Sequence, residues 1–307
     1  MKEKCPVCKS NITEILRNFR NTSNVYSEMK LIHCINCDMV FADPMPSEKA
    51  IEDYNSTYFS SAHGDQPQSD IANAFFSGLA RLRIRHVENY LKKKSVDVNN
   101  ILEIGPGNGY FAQYWLETNS NTKYNVIETD STYHTNLKKL GIQIINTSDT
   151  EKLEEVDLVI ISHVLEHVID PYEFLTKVTS RLRKGGVLFV DVPCNDWMHK
   201  ANDEPHLLFF NKNSISHLFQ KMELKDIQAT YHGEKIEDLQ NPSFVYSFYK
   251  RIRSKLISWG IVKPFSRVQK GMESLNNSLE RAVISNYKAH SESLKPAWWL
   301  RAIAIKK

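Results

Sequence analysis

Four of the five cysteines in this 307-residue chain stand in two pairs, Cys5-Pro-Val-Cys8 and Cys34-Ile-Asn-Cys37. Two Cys-x-x-Cys knuckles offer four thiolates to a tetrahedral ion, and zinc is the ion such sets hold in closed, structural sites. Disulfides are the alternative, but no secretion signal supports them. A redox Cys-x-x-Cys normally opens a helix after a strand, which neither pair does. Zn2+ on Cys5, Cys8, Cys34 and Cys37 is therefore expected to hold fold rather than to do chemistry. Cys194 stands far away and reads as an ordinary buried thiol.

A second chemical element is Asn100-Ile-Leu-Glu-Ile-Gly-Pro-Gly-Asn-Gly-Tyr-Phe111. Ile101, Leu102 and Ile104 suit a buried parallel strand. Gly105, Gly107 and Gly109 then make a turn whose backbone N–H groups can approach a ligand closely. Phe111, Trp115 and Leu116 restore helical spacing, so a helix N-terminus is expected at the carboxyl edge of a sheet, where α/β folds bind ligands. A dinucleotide turn reads Gly-x-Gly-x-x-Gly; here the spacing is Gly-x-Gly-x-Gly, with Tyr110 where the third dinucleotide glycine belongs. Glu103, two positions before the first glycine, suits a cationic ligand and sits poorly beside a pyrophosphate. Glu128 closes the next strand and can accept hydrogen bonds from both hydroxyls of a ribose. Asp130 is its competitor, two residues on.

The third element is Ser162-His-Val-Leu-Glu-His-Val168 followed by Asp170-Pro171. On a helix His163, Glu166 and His167 share one face, which is metal-capable spacing that His206 would complete. The plainer reading is preferred: His163 lines the ligand pocket while Glu166 and His167 fix the helix by hydrogen bonds. Where an acceptor must lose a proton, His206 is the first candidate for the base. His199, Asp196 and Tyr58 are the others.

These residues need elements to position them. Apolar strands alternate with amphipathic helices over residues 99–232, the βαβ signature of a mostly parallel sheet. Strands are expected to end at Ile104 and Glu128, to cover 143–146, 157–162 and 186–192, and to lie near 224–230. A helix over 71–94 precedes them, its Arg81, Arg83 and Arg85 read as a solvated face, and Ser47 reads as a helix N-cap. The divisions expected are a zinc-ribbon module 1–45, a bridge and leading helix 46–98, the core 99–232, a helical insertion 233–292 and a final strand of the core 293–307.

Glu103-Ile-Gly-Pro-Gly-Asn-Gly109 resembles motif I of the class I S-adenosyl-L-methionine (SAM) methyltransferases. The Leu-Glu-His segment after the fourth strand resembles that of one methyltransferase subfamily. With the two knuckles and Phe41-Ala-Asp-Pro-Met-Pro, the whole chain is similar to bacterial SAM-dependent methyltransferases with an N-terminal zinc-binding module, often found in sugar, surface-glycan or natural-product pathways. The resemblance implies a Rossmann-like seven-stranded sheet with an antiparallel last strand, matched by 294–305. It implies a SAM site at Glu103, Gly105, Gly107, Gly109, Tyr110, Glu128, Ser162 and His163; His206 and His163 are the catalytic candidates. In related sugar C-methyltransferases a Tyr-His-Glu-His element follows the fifth strand; here only Glu204 and His206 echo it. O-methyl transfer to a nucleotide-linked sugar or surface-glycan precursor is thus expected over C- or N-transfer. An RNA methyltransferase and a non-catalytic SAM-binding scaffold are the alternatives.

Composition is that of an ordinary soluble globular protein, 41% hydrophobic and 24% charged. A net charge of +3 commits to no polyanionic partner. Residues 1–40 hold six basic and four acidic groups, a weak excess that argues against nucleic acid. No signal peptide or bilayer-length apolar run is visible, so a cytoplasmic protein is expected. Residues 250–271 carry seven basic groups and no acid, interleaved with Ile252, Leu256, Ile257 and Trp259. A basic helix over 244–270 could touch a membrane surface, a phosphate-bearing substrate or RNA, and is read foremost as a dimer or lid helix with a solvated edge.

Overall fold

The chain's structure, a computed structural model, describes residues 4–47, 49–51, 69–261 and 270–307. The N-terminal strands are β1 (Thr13–Asn18), β2 (Lys30–Cys34) and β3 (Val40–Asp43). A leading helix, α1 (Asp70–Lys94), follows. Ser69 caps it through Ala72 N, and Asp70 and Lys92 to Lys94 match the helix dipole at its two ends. Ser47 accepts from Ala50 N at 3.2 Å, as an N-cap would.

The core then alternates as expected. It runs β4 (Asn100–Ile104), α2 (Tyr110–Thr118), β5 (Lys123–Ile127), α3 (His134–Lys139), β6 (Gln143–Ile144), β7 (Val156–Ser162), α4 (Pro171–Val178) and β8 (Leu182–Pro193). Next come β9 (Leu208–Phe209), α5 (Lys212–Lys221), β10 (Lys225–Lys235), α6 (Ile236–Gln240), α7 (Phe244–Ser258), α8 (Ser278–Tyr287), β11 (Glu292–Ser293) and β12 (Ala297–Ile305).

The main sheet has eight strands in the order β11-β10-β12-β8-β7-β4-β5-β6. Strands β6 to β8 and β4, β5 pair parallel, while β12 enters antiparallel between β8 and β10. The eighth strand is β11, two residues that extend the β10 edge beyond the seven strands expected. The continuous apolar runs of β7 and β8 are buried on both faces. One face packs Ile101, Val126, Ile160 and Phe189 against Val87 of α1 and Phe111 and Trp115 of α2. The other packs Leu102, Val159, Ile161 and Val190 against Leu175 of α4 and Leu218 of α5.

The second core continues without a break into the N-terminal segment, through Leu31, Val40 and Phe41. That segment forms a four-stranded sheet, β1-β2-β3-β9, whose last strand belongs to the core. The cysteine segment is therefore fused to the core by shared strand pairing.

The arginines of α1 are not a solvated face. Arg83 pairs with fully buried Asp191 of β8, Arg81 stacks over Tyr114 at 3.7 Å, and Arg85 reaches Glu273 at 2.8 Å. Helix α8 lies across α1 so closely that a Cβ on Gly78 would sit 2.6 Å from Ile284 Cγ1. Helix α7 leaves Phe244, Val245, Phe248 and Tyr249 exposed while Ile257 is buried among Ala74, Ala282 and Val283. Among the described residues no helix is long and apolar enough to cross a membrane.

Candidate active site

The glycine turn leaves the end of β4 in a left-handed backbone, with φ of +65° at Gly105 and +55° at Gly107. A Cβ at Gly105 would sit 2.6 Å from Val164 Cγ2, so this glycine lets the segment after β7 pack against the turn. A Cβ at Gly107 would meet nothing within 4 Å among the described residues, so that position opens outward. Gly107 N donates to Glu128 Oε2 at 3.0 Å, and Asp130 N donates to Oε1 at 2.9 Å. Burial raises the Glu128 pKa and these two N–H groups oppose the rise. Asp130 is occupied locally, accepting from Thr132 N at 2.9 Å. Of the two carboxylates, Glu128 stands beside the glycine turn. Tyr110 ties the start of α2 to α1, its hydroxyl donating to Asn73 Oδ1 at 2.6 Å.

Glu103 faces inward beneath the turn. It is 3% exposed and accepts from Tyr124 OH at 2.7 Å. Burial lifts its pKa to about 7, against the opposing pull of Tyr124 and Arg83. Since the folded value is raised above the ordinary 4.5, the stabilisation is whole below 4.5 and is lost as pH rises towards 7. The loss is at most about 3 kcal/mol. Urea titrations of the ligand-free protein at several pH values should show this slope, and Glu103→Gln should flatten it.

Ser162 ends β7 next to β4, and its buried Oγ has no hydrogen-bond partner among the described residues. His163 follows in a left-handed conformation, φ +55°, its backbone N held by Asp191 O at 2.8 Å and its side chain 38% exposed. The open glycine turn, the carboxylate at Glu128 and an unused hydroxyl at Ser162 thus line one sheet edge. They fit a ligand with a ribose and an adjacent cation, as SAM has.

Beyond His163 the chain forms a single 3-10 turn, Leu165–His167, where a helix was expected. The side chains meet nonetheless. His163 Nδ1 lies 3.3 Å and His167 Nε2 3.9 Å from Glu166 Oε1. Glu166 is fully buried, yet neither carboxylate oxygen has a hydrogen-bond partner of good geometry among the described residues. The plainer reading had Glu166 and His167 fix the segment by hydrogen bonds; here the tie from Glu166 is its backbone O, which accepts from Leu207 N at 2.8 Å. Burial works to raise the Glu166 pKa, but the imidazoles of His163, His167 and His206 bring it to about 2. Burial lowers His167 to about 4 and keeps it neutral.

His206 joins this cluster from the loop after β8. It is 7% exposed, with Nδ1 at 2.7 Å from Asp196 Oδ2. Asp196 also pairs with Lys200 at 2.6 Å. His167 donates from Nδ1 to Pro205 O at 3.2 Å, and its ring meets that of His206 edge-on at 4.9 Å. His199 lies apart, against Trp298, and Tyr58 falls outside the described residues.

Sequence reasoning missed what holds this loop. Asp203, 1% exposed, accepts at 2.8 Å from each of Arg17 Nη2, Arg20 Nη2 and Arg20 N. Glu204 accepts from Thr22 N at 2.8 Å. The partners lie some 180 residues apart, and no spacing rule couples them.

In the N-terminal segment the four cysteines converge. Cys5 and Cys37 Sγ atoms lie 3.5 Å apart, as do those of Cys8 and Cys34, and all four fall within 4.8 Å. Disulfides are absent among them. Zinc bonds of about 2.3 Å in a tetrahedron separate sulfurs by about 3.8 Å, so the set fits that ion. A hydrogen bond from Cys37 lowers the Cys5 pKa to about 5, while burial pushes Cys34 up to about 11.

Residues 75–229 match the family described as a methyltransferase domain, half of the chain. A search of the curated proteins finds no match. Among solved structures, the plantazolicin methyltransferase BamL, in complex with a triazolic desmethylPZN analog and SAH, aligns with a TM-score of 0.50 at 14% identity. That alignment covers 84% of this chain and 98% of the other. A SAM-dependent methyltransferase from Archaeoglobus fulgidus aligns at 0.46 and 13% identity, over 82% and 100% of the two chains. A possible histamine N-methyltransferase from Thermotoga maritima aligns at 0.45 and 14%, over 85% and 97%. With the parallel sheet, the open glycine turn and the carboxylate beside it, the match assigns this chain to the methyltransferase-domain family, as a class I SAM-dependent methyltransferase.

Proposed function

We propose that this enzyme methylates a hydroxyl of a small acceptor, a nucleotide-linked sugar or surface-glycan precursor, with His163 taking the proton. The observation that carries the reading is the placement of His163. Its half-open imidazole follows directly on Ser162 at the cofactor edge and is backed by the Glu166 carboxylate at 3.3 Å. A hydroxyl needs a base as it is methylated, and imidazole is the side chain suited to proton transfer near neutral pH. His206, the first expectation for this role, is buried against Asp196 and so supports the cluster from within. The sugar-linked class follows from the resemblance of the whole chain.

Glu128 would hold the ribose hydroxyls, the N–H groups of the glycine turn and Ser162 would position the rest of SAM, and Glu103, buried beneath, would support the turn. SAM, when bound, supplies an electrophilic methyl on a good leaving group. The protein's part is then orientation and one proton transfer. Cys5, Cys8, Cys34 and Cys37 would hold one structural zinc, which braces the loop carrying His206.

Calorimetric titration with S-adenosylhomocysteine tests the cofactor site. Wild type should bind at micromolar levels, and Glu128→Ala should bind roughly 100-fold more weakly, having lost hydrogen bonds to a charged acceptor. His163→Ala should keep that binding and lose transfer to nucleotide-sugar acceptors by about 100-fold or more. Binding without turnover on any acceptor would favour the scaffold reading.

A further inference from the structure

We propose that Glu166, His167 and His206 form a site for one divalent transition-metal ion, separate from the four-cysteine site. Ionised carboxylates are buried only when paired, hydrogen-bonded or bound to a metal. Glu166 is fully buried, and neither of its oxygens has a hydrogen-bond partner of good geometry among the described residues, the imidazoles of His163 and His167 lying 3.3 and 3.9 Å from Oε1. Both histidines use Nδ1 elsewhere: His167 towards Pro205 O at 3.2 Å, His206 towards Asp196 Oδ2 at 2.7 Å. Each is therefore left with Nε2 as its free ring nitrogen, and that of His167 lies 3.9 Å from Glu166 Oε1. One ligand atom from each of the three residues lies within 4.8 Å of the others. An ion with bonds of about 2.1 Å spaces neighbouring ligands about 3–3.5 Å apart, so the set closes on it with a contraction of about 1 Å.

The surroundings support the same assignment. Histidine ligands of metals characteristically give their second nitrogen to a carboxylate or a carbonyl, and here Asp196 and the Pro205 carbonyl fill those places. The turn holding Glu166 is tied to the loop holding His206 by Leu207 N to Glu166 O at 2.8 Å. Two imidazoles and one carboxylate favour zinc, cobalt or iron over magnesium or calcium, which prefer oxygen ligands. Three protein ligands leave a position open, and His163, 3.3 Å from Glu166, is the solvent-exposed neighbour. Binding of the ion stands on this geometry alone. A role in acidifying the acceptor hydroxyl rests on the proposed function.

The test uses the full-length protein, saturated with S-adenosylhomocysteine and retaining its cysteine-bound metal. Titration with Co2+ should show one further equivalent with the visible bands of nitrogen and oxygen ligation and none of the intense thiolate-to-cobalt bands. Excess Mg2+ should not displace it. Glu166→Gln and His206→Gln should each weaken Co2+ by about 100-fold or more, and Asp196→Asn, which removes only a supporting contact, by about 10–100-fold. Retained S-adenosylhomocysteine binding shows each variant is folded, and His167→Gln replaces any that is not. Absence of a further Co2+ equivalent, undiminished binding in Glu166→Gln, or a preference for Mg2+ would overturn the site. Wild type that takes up cobalt but binds no S-adenosylhomocysteine would instead count against the cofactor reading.

Discussion

Cys37→Ser is expected to empty the four-cysteine site and to melt the N-terminal sheet, at a cost of about 5 kcal/mol or more. Metal binding in a small closed site is folding free energy, apparent values being about 10–16 kcal/mol for zinc-finger peptides. Removing one of four thiolates forfeits much of it. The effect should not stop at the cysteines, since Cys5, Cys34 and Cys37 share a core with Leu207, Leu208, Phe209 and Phe210. Strand β3 pairs with β9 through Val40–Phe209 and Phe41–Leu208. His206 stands two residues before that strand, so a melted β3 frees the loop that positions it. At about 2–4 °C per kcal/mol, the unfolding midpoint should fall by about 10–15 °C or more. Metal content should drop by one equivalent per chain. Cys194→Ser, at a buried thiol outside the cluster, should leave the metal in place. An unchanged midpoint and unchanged zinc in Cys37→Ser would show that the thiols meet without a metal.

Local signals in the sequence carried most of the core. The apolar runs of β4, β7 and β8 are buried on both faces by neighbours on either side, so hydrophobicity alone marks them. The glycines at 105, 107 and 109 sit where left-handed backbone is needed, which residue type encodes directly. The four cysteines were readable because metal-ligand spacing is itself a local pattern. What stayed hidden depends on contacts between distant segments. Arg83 looked solvated because nothing near it in sequence shows that Asp191 waits on β8. The segment 163–167 has helical spacing, but His163 takes a left-handed conformation and Leu165–His167 tightens to one 3-10 turn. Glu166 then turns into the interior, and that its carboxylate oxygens have no hydrogen-bond partner of good geometry among the described residues is a property of three-dimensional packing. Likewise, the two Cys-x-x-Cys pairs mark a module over 1–45, but the pairing of its β3 with β9 of the core has no local signal.

Asp203→Ala should have the second-largest effect, a loss of about 2–4 kcal/mol together with a fall in turnover. The carboxylate is 1% exposed, and Arg17 and Arg20 bind it from the N-terminal sheet. Burial by itself would raise its pKa, but the hydrogen bonds from both arginines outweigh this and hold it low. Breaking a buried pair by removing one partner costs about 3–5 kcal/mol. The figure is reduced here because the Arg17 and Arg20 side chains are 28% and 37% exposed and regain water. The same two arginines donate to Trp197 O, so the loop is gripped at 197 and at 203, on either side of His199. Asp203 O in turn accepts from His206 N at 3.1 Å, which places the grip one hydrogen bond from the histidine cluster. None of these groups touches the glycine turn or Glu128. Asp203→Ala should therefore bind S-adenosylhomocysteine as wild type does, while kcat falls at least tenfold through displacement of His206, about 1.4 kcal/mol in the barrier. Arg17→Ala with Arg20→Ala should reproduce the pattern from the other side of the contact. A variant that loses stability but keeps kcat would mean the loop is held in place without this pair, and that the N-terminal sheet braces the fold and not the chemistry.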